Sequence, residues 1–161
     1  MATFVFEGIN EYATQLKKLD DKAEGMIKRA VYDGAAVVLQ AVVSEINGLP
    51  VIKNRYRETK LPLTGVTETQ KRGLLAGVGL AKMVNQNGFI NTKLGFSGYN
   101  AAKSDKYPNG QPNALIARAV NSGSSTRVKI PFINRAVKAA QAGAEAAMAA
   151  RFDADTQNMI K

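Results

Sequence analysis

Residues 115–137 read LIARAVNSGSSTRVKIPFINRAV, and the division of this stretch decides the fold. Leu115, Ala117 and Ala119 alternate with Ile116, Arg118 and Val120. That two-residue period predicts a strand with one face on a core. Asn121-Ser122-Gly123-Ser124-Ser125 then ends it. Gly123 can take a positive φ without a Cβ clash, and the neighbouring Asn and Ser side chains can bond to nearby backbone. Pro131 has a fixed φ and no N–H, which suits the first position of a helix, and Phe132 is the first large apolar residue that helix can bury.

Toward the C-terminus, the helix is expected to run from Pro131 to about Phe152, with a frayed tail over 153–161. Phe132, Ala136, Ala139, Gly143, Ala146 and Ala150 form one stripe, and Ile133, Val137, Ala140, Ala144 and Ala147 a neighbouring one. After Val137 almost every packing residue is small, so another helix or a sheet can come close.

Toward the N-terminus, Gly95–Asn113 is an irregular polar loop in which Tyr99 and Tyr107 interleave with Lys103 and Lys106. Such a mixture can stack on bases and hold phosphates, or the tyrosines can cover the edge of their own core. Leu74–Leu80 and Phe89–Phe96 read as two strands, joined by a turn within Asn85-Gln86-Asn87-Gly88 into a hairpin. Ile90, Thr92, Leu94 and Phe96 share one face of the second strand, and the glycines of the first mark a close backbone approach. Thr67-Glu68-Thr69-Gln70 has the spacing of a capping box and predicts a short helix through Lys71-Arg72, stopping before Gly73. Pro50–Thr69 is a second long polar loop; loops of about 20 residues tend to be functional or disordered.

The first fifty residues read as Thr3–Glu7 in a short strand closed by Gly8, a short helix from Asn10 to near Asp20, and a long helix from Asp20 or Asp21 to about Ile46. The last half of that long helix contains AAVVLQAVV, apolar around most of its circumference. Such a helix is covered on more than one side, either by its own domain or by a sheet and a neighbouring subunit. The whole describes one domain, residues 1–161. Its fold class is α+β: a small mixed, mainly antiparallel sheet on two long helices, with two long polar loops.

Composition limits the chemistry. With 161 residues, 45% of them hydrophobic and 22% charged, the chain suits a single globular core. There is no cysteine and no histidine, which excludes disulfides, thiolate nucleophiles, the usual zinc sites and imidazole acid–base catalysis. Glu58 and Glu68 lie in a polar stretch with nothing to shift their pKa, so they read as solvated carboxylates. Neither of the glycine-rich phosphate-binding patterns is present, and no cofactor is expected. Uncharged runs such as Gly34–Ser44 fall short of the roughly 18 apolar residues of a membrane span, and MATFVFEG does not read as a secretion signal. A soluble protein kept in the cytoplasm is expected.

The net charge of +9 is concentrated in the middle of the chain. Lys53–Lys106 carries ten basic residues against three acidic ones, and Arg55, Arg57, Lys60, Lys71, Arg72, Lys103 and Lys106 are the candidate contacts to a partner or to DNA. A basic surface can attract nucleic acid or an acidic protein, or simply keep the chain soluble.

Taken together, the order of elements resembles the neck or tail-completion proteins of long-tailed bacteriophages, a family of head–tail joining components. The most specific match is the turn SGSS followed by PFINRAV, carried by Ser122, Gly123, Ser124, Pro131, Phe132, Ile133 and Ala136. Family members look like a strand, a Gly-Thr-Ser turn, then Pro-Phe opening a helix. The opening FEGINEYATQLKKLDDKAEGMIKRAV is similar to the family's start, through Phe6, Gly8, Leu16 and Leu19. Two departures stand out: Asn121 occupies a position that is often acidic in the family, and Ser124 replaces the usual Thr. In the middle, Thr64-Gly65 and Leu74-Leu75 only partly match a family pattern of Thr-Gly followed closely by Leu and Ser.

The resemblance implies a non-enzymatic virion protein of the neck, made in the host bacterial cytoplasm, that forms a homo-oligomeric ring. Its implied partners are other neck and tail proteins (connector or adaptor, tail terminator or tube), with non-specific contact to passing DNA and none to membrane. The two polar loops are expected to reach neighbouring rings or subunits. A small basic DNA-binding protein is the alternative.

Overall fold

The computed structural model describes residues 7–53 and 56–160. Its helices are α1 (Glu7–Asn47), α2 (Tyr56–Thr59), α3 (Glu68–Gly77), α4 (Asn113–Ser122) and α5 (Phe132–Ile160). Its strands are β1 (Val78–Leu80), β2 (Val84–Gln86), β3 (Phe89–Asn91), β4 (Leu94–Phe96), β5 (Tyr99–Asn100) and β6 (Gln111–Pro112). The class is α+β, but the strands form three separate antiparallel pairs, β1–β4, β2–β3 and β5–β6, rather than one sheet. Among the described residues, parallel pairing is confined to the isolated bridges Val51–Val66 and Leu63–Arg127.

The expected strand over Leu115–Val120 is a helix. In α4 the buried residues are Asn113, Ile116, Ala117 and Val120, the i, i+3, i+4, i+7 spacing of one helical face, while Leu115 and Arg118 face water. Alternation between alanines and larger residues imitated a strand, yet Ala, Leu and Arg are good helix formers. Gly123 does stop this element, with φ 79° and ψ 168°, a backbone region essentially reserved for glycine. A Cβ there would come within 3.1 Å of Lys129 Cβ.

α1 is one helix where two were expected. Asp20 and Asp21 are exposed on it. A mid-helix Asp costs only about 0.5 kcal/mol, too little to break a helix whose later turns are packed. Gly8 lies inside α1; of the strand expected over Thr3–Glu7, Glu7 opens α1 and residues 3–6 lie outside the described residues. α1 ends as expected near Ile46 and Asn47, with Gly48 N–H bonded to the Ser44 carbonyl.

α5 runs antiparallel beside α1. Arg135 pairs with Glu45 at 2.8 Å, Arg151 with Asp33 at 2.9 Å and Arg29 with Asp155 at 2.8 Å. Each exposed pair is worth little, but the three together agree on a single register. The inward stripe is Phe132, Ala136, Ala140 and Ala144, which combines residues from both predicted stripes; Ala139, Gly143, Ala146 and Ala150 are exposed. The helix also continues past Phe152, through the predicted frayed tail, to Ile160. Pro131 immediately precedes α5, and its carbonyl accepts the Arg135 N–H at 3.0 Å.

The capping box forms as predicted, with Gln70 N–H donating to Thr67 Oγ1 and Thr67 N–H to Gln70 Oε1, both at 3.2 Å. α3 passes through Gly73 rather than stopping there, and ends at Gly77. Of the two glycines expected to mark a close approach, Gly77 does so on a helix face, where a Cβ would collide with the Ser97 carbonyl, while Gly79 has open space around it; Gly73, read as a helix stop, is crowded too, and a Cβ there would collide with Asn100. Leu74 and Leu75 therefore belong to a helix, and only Val78–Leu80 form the strand.

The predicted hairpin is present. β1 pairs with β4 through Val78–Phe96 and Leu80–Leu94, and β2 pairs with β3 through Val84–Asn91 and Gln86–Phe89. Three residues on one strand face two on the other between these ladders, a bulge-like offset, and Thr92 Oγ1 donates to the Ala81 carbonyl there at 2.7 Å.

One core unites both ends of the chain. Val42 and Ile46 of α1 meet Leu49, Val66, Leu74, Ile116, Ala117, Val120, Phe132 and Ala136. Phe132 is 0% exposed, and its ring lies edge-on to Phe96, with centroids 6.3 Å apart. Ala35 to Leu39 of α1 are half-buried.

Candidate functional site

The chemistry of this chain is concentrated around the turn between α4 and α5. Ser124 N–H bonds to the Arg127 carbonyl at 2.9 Å and Arg127 N–H returns to Ser124 at 3.2 Å, closing a tight loop; Ser124 Oγ lies 3.3 Å from Thr126 Oγ1. Asn121, at the end of α4, reaches across: its Oδ1 accepts the Ile133 N–H at 3.0 Å and its Nδ2 donates to Asn134 Oδ1 at 3.1 Å. It therefore satisfies one of the free N–H groups in the first turn of α5.

Arg127 was not singled out by its sequence, where it is one cation in a polar turn. It is 6% exposed. Its Nη1 donates to the Gly65 carbonyl and its Nη2 to Gln70 Oε1 at 3.3 Å, while Gln70 Nε2 donates to Gln111 Oε1 at 2.9 Å. Burial pushes its pKa below the ordinary arginine value. One side chain thus ties together the turn, the end of the Pro50–Thr69 loop, the cap of α3 and strand β6.

The two polar loops are anchored at their bases. Ile52 N–H bonds to the Val66 carbonyl and Val66 N–H to the Pro50 carbonyl, both at 2.9 Å, and Leu63 bonds in both directions with residues 126 and 128. Between these points Lys60, at φ 56°, and Leu61 are exposed. In the second loop, β5 and β6 bracket residues 101–110. Asn100 Nδ2 donates to Asn113 Oδ1 at 3.3 Å and Asn113 Nδ2 to the Ser97 carbonyl at 2.8 Å.

The candidate basic contacts do not behave alike. Arg55 lies outside the described residues, and Arg57 lies on α2. Lys60, Arg72, Lys103 and Lys106 are exposed. Lys71 is occupied, because its Nζ donates to the Asn47 carbonyl at 2.7 Å and the Leu49 carbonyl at 3.2 Å, at the C-terminus of α1. Lys106 Nζ stands 5.7 Å from the Tyr107 ring centre. Tyr99, Lys106, Tyr107, Pro108, Asn109 and Gly110 line an open cavity of about 390 Å³. The structure therefore brings Tyr99, Lys106 and Tyr107 of this loop to one place; Lys103 does not line the cavity, and the other cations sit on separate elements.

A second depression, of about 310 Å³, separates α1 from the β2–β3 hairpin and is lined by Asp20, Asp21, Ala23, Glu24, Ile27, Asn85, Gly88 and Ile90. The Glu24 carboxyl is held below its usual pKa by the hydrogen bond and charge of Lys28, with a smaller contribution from Asn85. Among the described residues, no three acidic side chains converge as a metal site, and no helix is long and apolar enough to cross a membrane. Comparison with protein-family models, curated proteins and solved structures finds no match to this chain.

Proposed function

We propose that this chain is a structural, non-enzymatic component of the neck of a long-tailed bacteriophage. Copies of it form a ring that joins the DNA-filled head to the tail, or completes the tail for that attachment, while DNA passes. A connector or adaptor on one side and a tail terminator or tube on the other are its partners.

The observation that carries this reading is the unit running from Asn121 to Ala136. Gly123 adopts a glycine-only conformation, Pro131 precedes α5, and Phe132 and Ala136 are buried in the core that joins the two ends of the chain. These are the residues of the resemblance, and each has a physical reason to be what it is. The largest departure is that helix α4 stands before the turn where the resemblance has a strand; the residue-level departure at Asn121 has a physical reason. Asn121 accepts a hydrogen bond from the N-terminus of α5, a place where a carboxylate would also be favoured. The loops around Lys60 and Lys106 project from this body and suit contacts to other subunits.

The test is genetic and physical. A phage lacking the gene is expected to yield separate full heads and tails, and purified protein mixed with neck and tail components is expected to form rings visible by negative stain. Normal virions from the deletion would end the proposal. A second reading, a small basic DNA-binding protein, is favoured by Lys106 over Tyr107 beside the exposed Tyr99. It requires duplex binding that weakens steeply with salt.

A further inference from the structure

Every fourth residue of α5 from its start forms one row: Phe132, Ala136, Ala140, Ala144, Met148 and Phe152. Such a row is inclined to the helix axis, so it cannot stay beneath a neighbouring helix for the whole length of a contact. Here it leaves the interface step by step. Exposure is 0% at Phe132 and 9% at Ala144, then 37% at Met148 and 44% at Phe152. On α1, Met26, Ala30 and Gly34 follow the same four-residue step and are buried.

Met148 is where access and contact coincide. Its thioether lies on Gly34: a Cβ added to that glycine would fall 2.5 Å from Met148 Cγ and 2.8 Å from its sulfur. The next atom against this slot is the Ala144 carbonyl oxygen. A long, unbranched and polarizable side chain fills such a groove well, and the groove exists because position 34 carries no side chain. Beyond this point the ion pairs Arg151–Asp33 and Arg29–Asp155 link the two helices, and pairs with exposed arginines contribute little each. The other methionines among the described residues are less open. Met26 is buried, and Met83 and Met159 are half-buried.

We propose that Met148 is a site of reversible oxidation, and that its sulfoxide releases the last turns of α5 from α1. A peroxide delivers one oxygen atom to the sulfur, which gives an electron pair to the new S–O bond, and the peroxide is reduced to water or an alcohol. A strong acceptor then faces the Ala144 carbonyl, which cannot donate to it. If the sulfoxide turns to water instead, the groove over Gly34 is left empty. Both arrangements lose the contact, and an enzyme that reduces methionine sulfoxide restores it. The packing from Phe132 to Ala144 lies deeper along the row and stays closed. This device belongs to the helix pair alone, whatever the chain assembles into.

The test uses the purified full chain and dilute hydrogen peroxide. Peptide mass spectrometry is expected to find Met148 oxidised about tenfold or more faster than Met26. Once Met148 is oxidised, hydrogen exchange over residues 149–159 is expected to rise about tenfold or more, with residues 132–144 unchanged. Met148→Leu keeps an apolar side chain over Gly34, so the same peroxide treatment should leave its exchange that of untreated protein. Met148→Gln, polar and of similar length, should show the fast exchange with no peroxide. Oxidation of Met148 no faster than that of Met26 overturns the site. Native exchange in the oxidised protein, or an equal rise in treated Met148→Leu, overturns the release of α5.

Discussion

Arg127 and Asn121 are the two side chains on which the α4–α5 connection depends. Each acts through two identifiable side-chain bonds. Replacing Arg127 by Met removes a charged donor from the buried Gly65 carbonyl and leaves Gln70 Oε1 with the Thr67 N–H but without its second donor. A loss of about 3 kcal/mol is expected, and with it a drop in melting temperature of roughly 6–12 °C. Lysine would keep the charge but not the fork, and should recover only part of it. Asn121→Ala should cost about 1 kcal/mol, whereas Asn121→Asp should match or exceed the native stability, since an acceptor with negative charge suits the start of α5. Chemical denaturation of the three proteins checks the order. If Asp proved as damaging as Ala, the bond to Ile133 would not be the reason for Asn121.

At the scale of elements, α4 is the instructive case. A strand would put Leu115 with Ala117 and Ala119, and Ile116 with Arg118 and Val120. The helix instead buries Ile116, Ala117 and Val120 together and leaves Leu115 40% exposed. Ile116→Ala is therefore expected to cost about 2–4 kcal/mol and Leu115→Ala less than about 1. The helical spacing was present in the letters; what hid it was that alanine fits either pattern and carries little burial signal of its own. A related ambiguity shortened α3: Gly73 was read as its stop, and Gly77, rightly read as a site of close approach, was assigned to a strand. Elements whose signals were chemical rather than periodic were legible: the Thr67–Gln70 box, the Asn87-Gly88 turn, Gly123 and the Pro131–Phe132 start. Arg127 was not legible, because only the arrival of Gly65 and Gln70 from distant positions makes it a buried residue.

Considered whole, the protein is a small mixed core from which two antiparallel helices extend. α1 alone, at 41 residues, is about 60 Å long. A compact domain of this length would have a radius of gyration near 15 Å. Small-angle scattering from the dissociated protein is expected to give a clearly larger value, with a long tail in the distance distribution. A value near 15 Å would mean that the helices fold back on the core in solution. The central core was foreseeable in outline from Phe132, Val42 and Ile46, since large apolar residues flanked by chain-stopping signals have few other places to go. The division of the strands into three pairs was not, because segments of two or three residues are too short to carry a period.

The bond from Lys71 to the end of α1 bears on how the surface would respond to chemistry rather than to binding. An amine engaged by two carbonyls, at 2.7 and 3.2 Å, is a poorer nucleophile than one moving freely in water. Under brief acylation followed by mass spectrometry, Lys60, Lys103 and Lys106 should be modified first and Lys71 well after them. The positive charge that a partner meets is then smaller than the composition suggests, and a reagent that reaches Lys71 reports the unwinding of the last turn of α1 rather than the state of the surface.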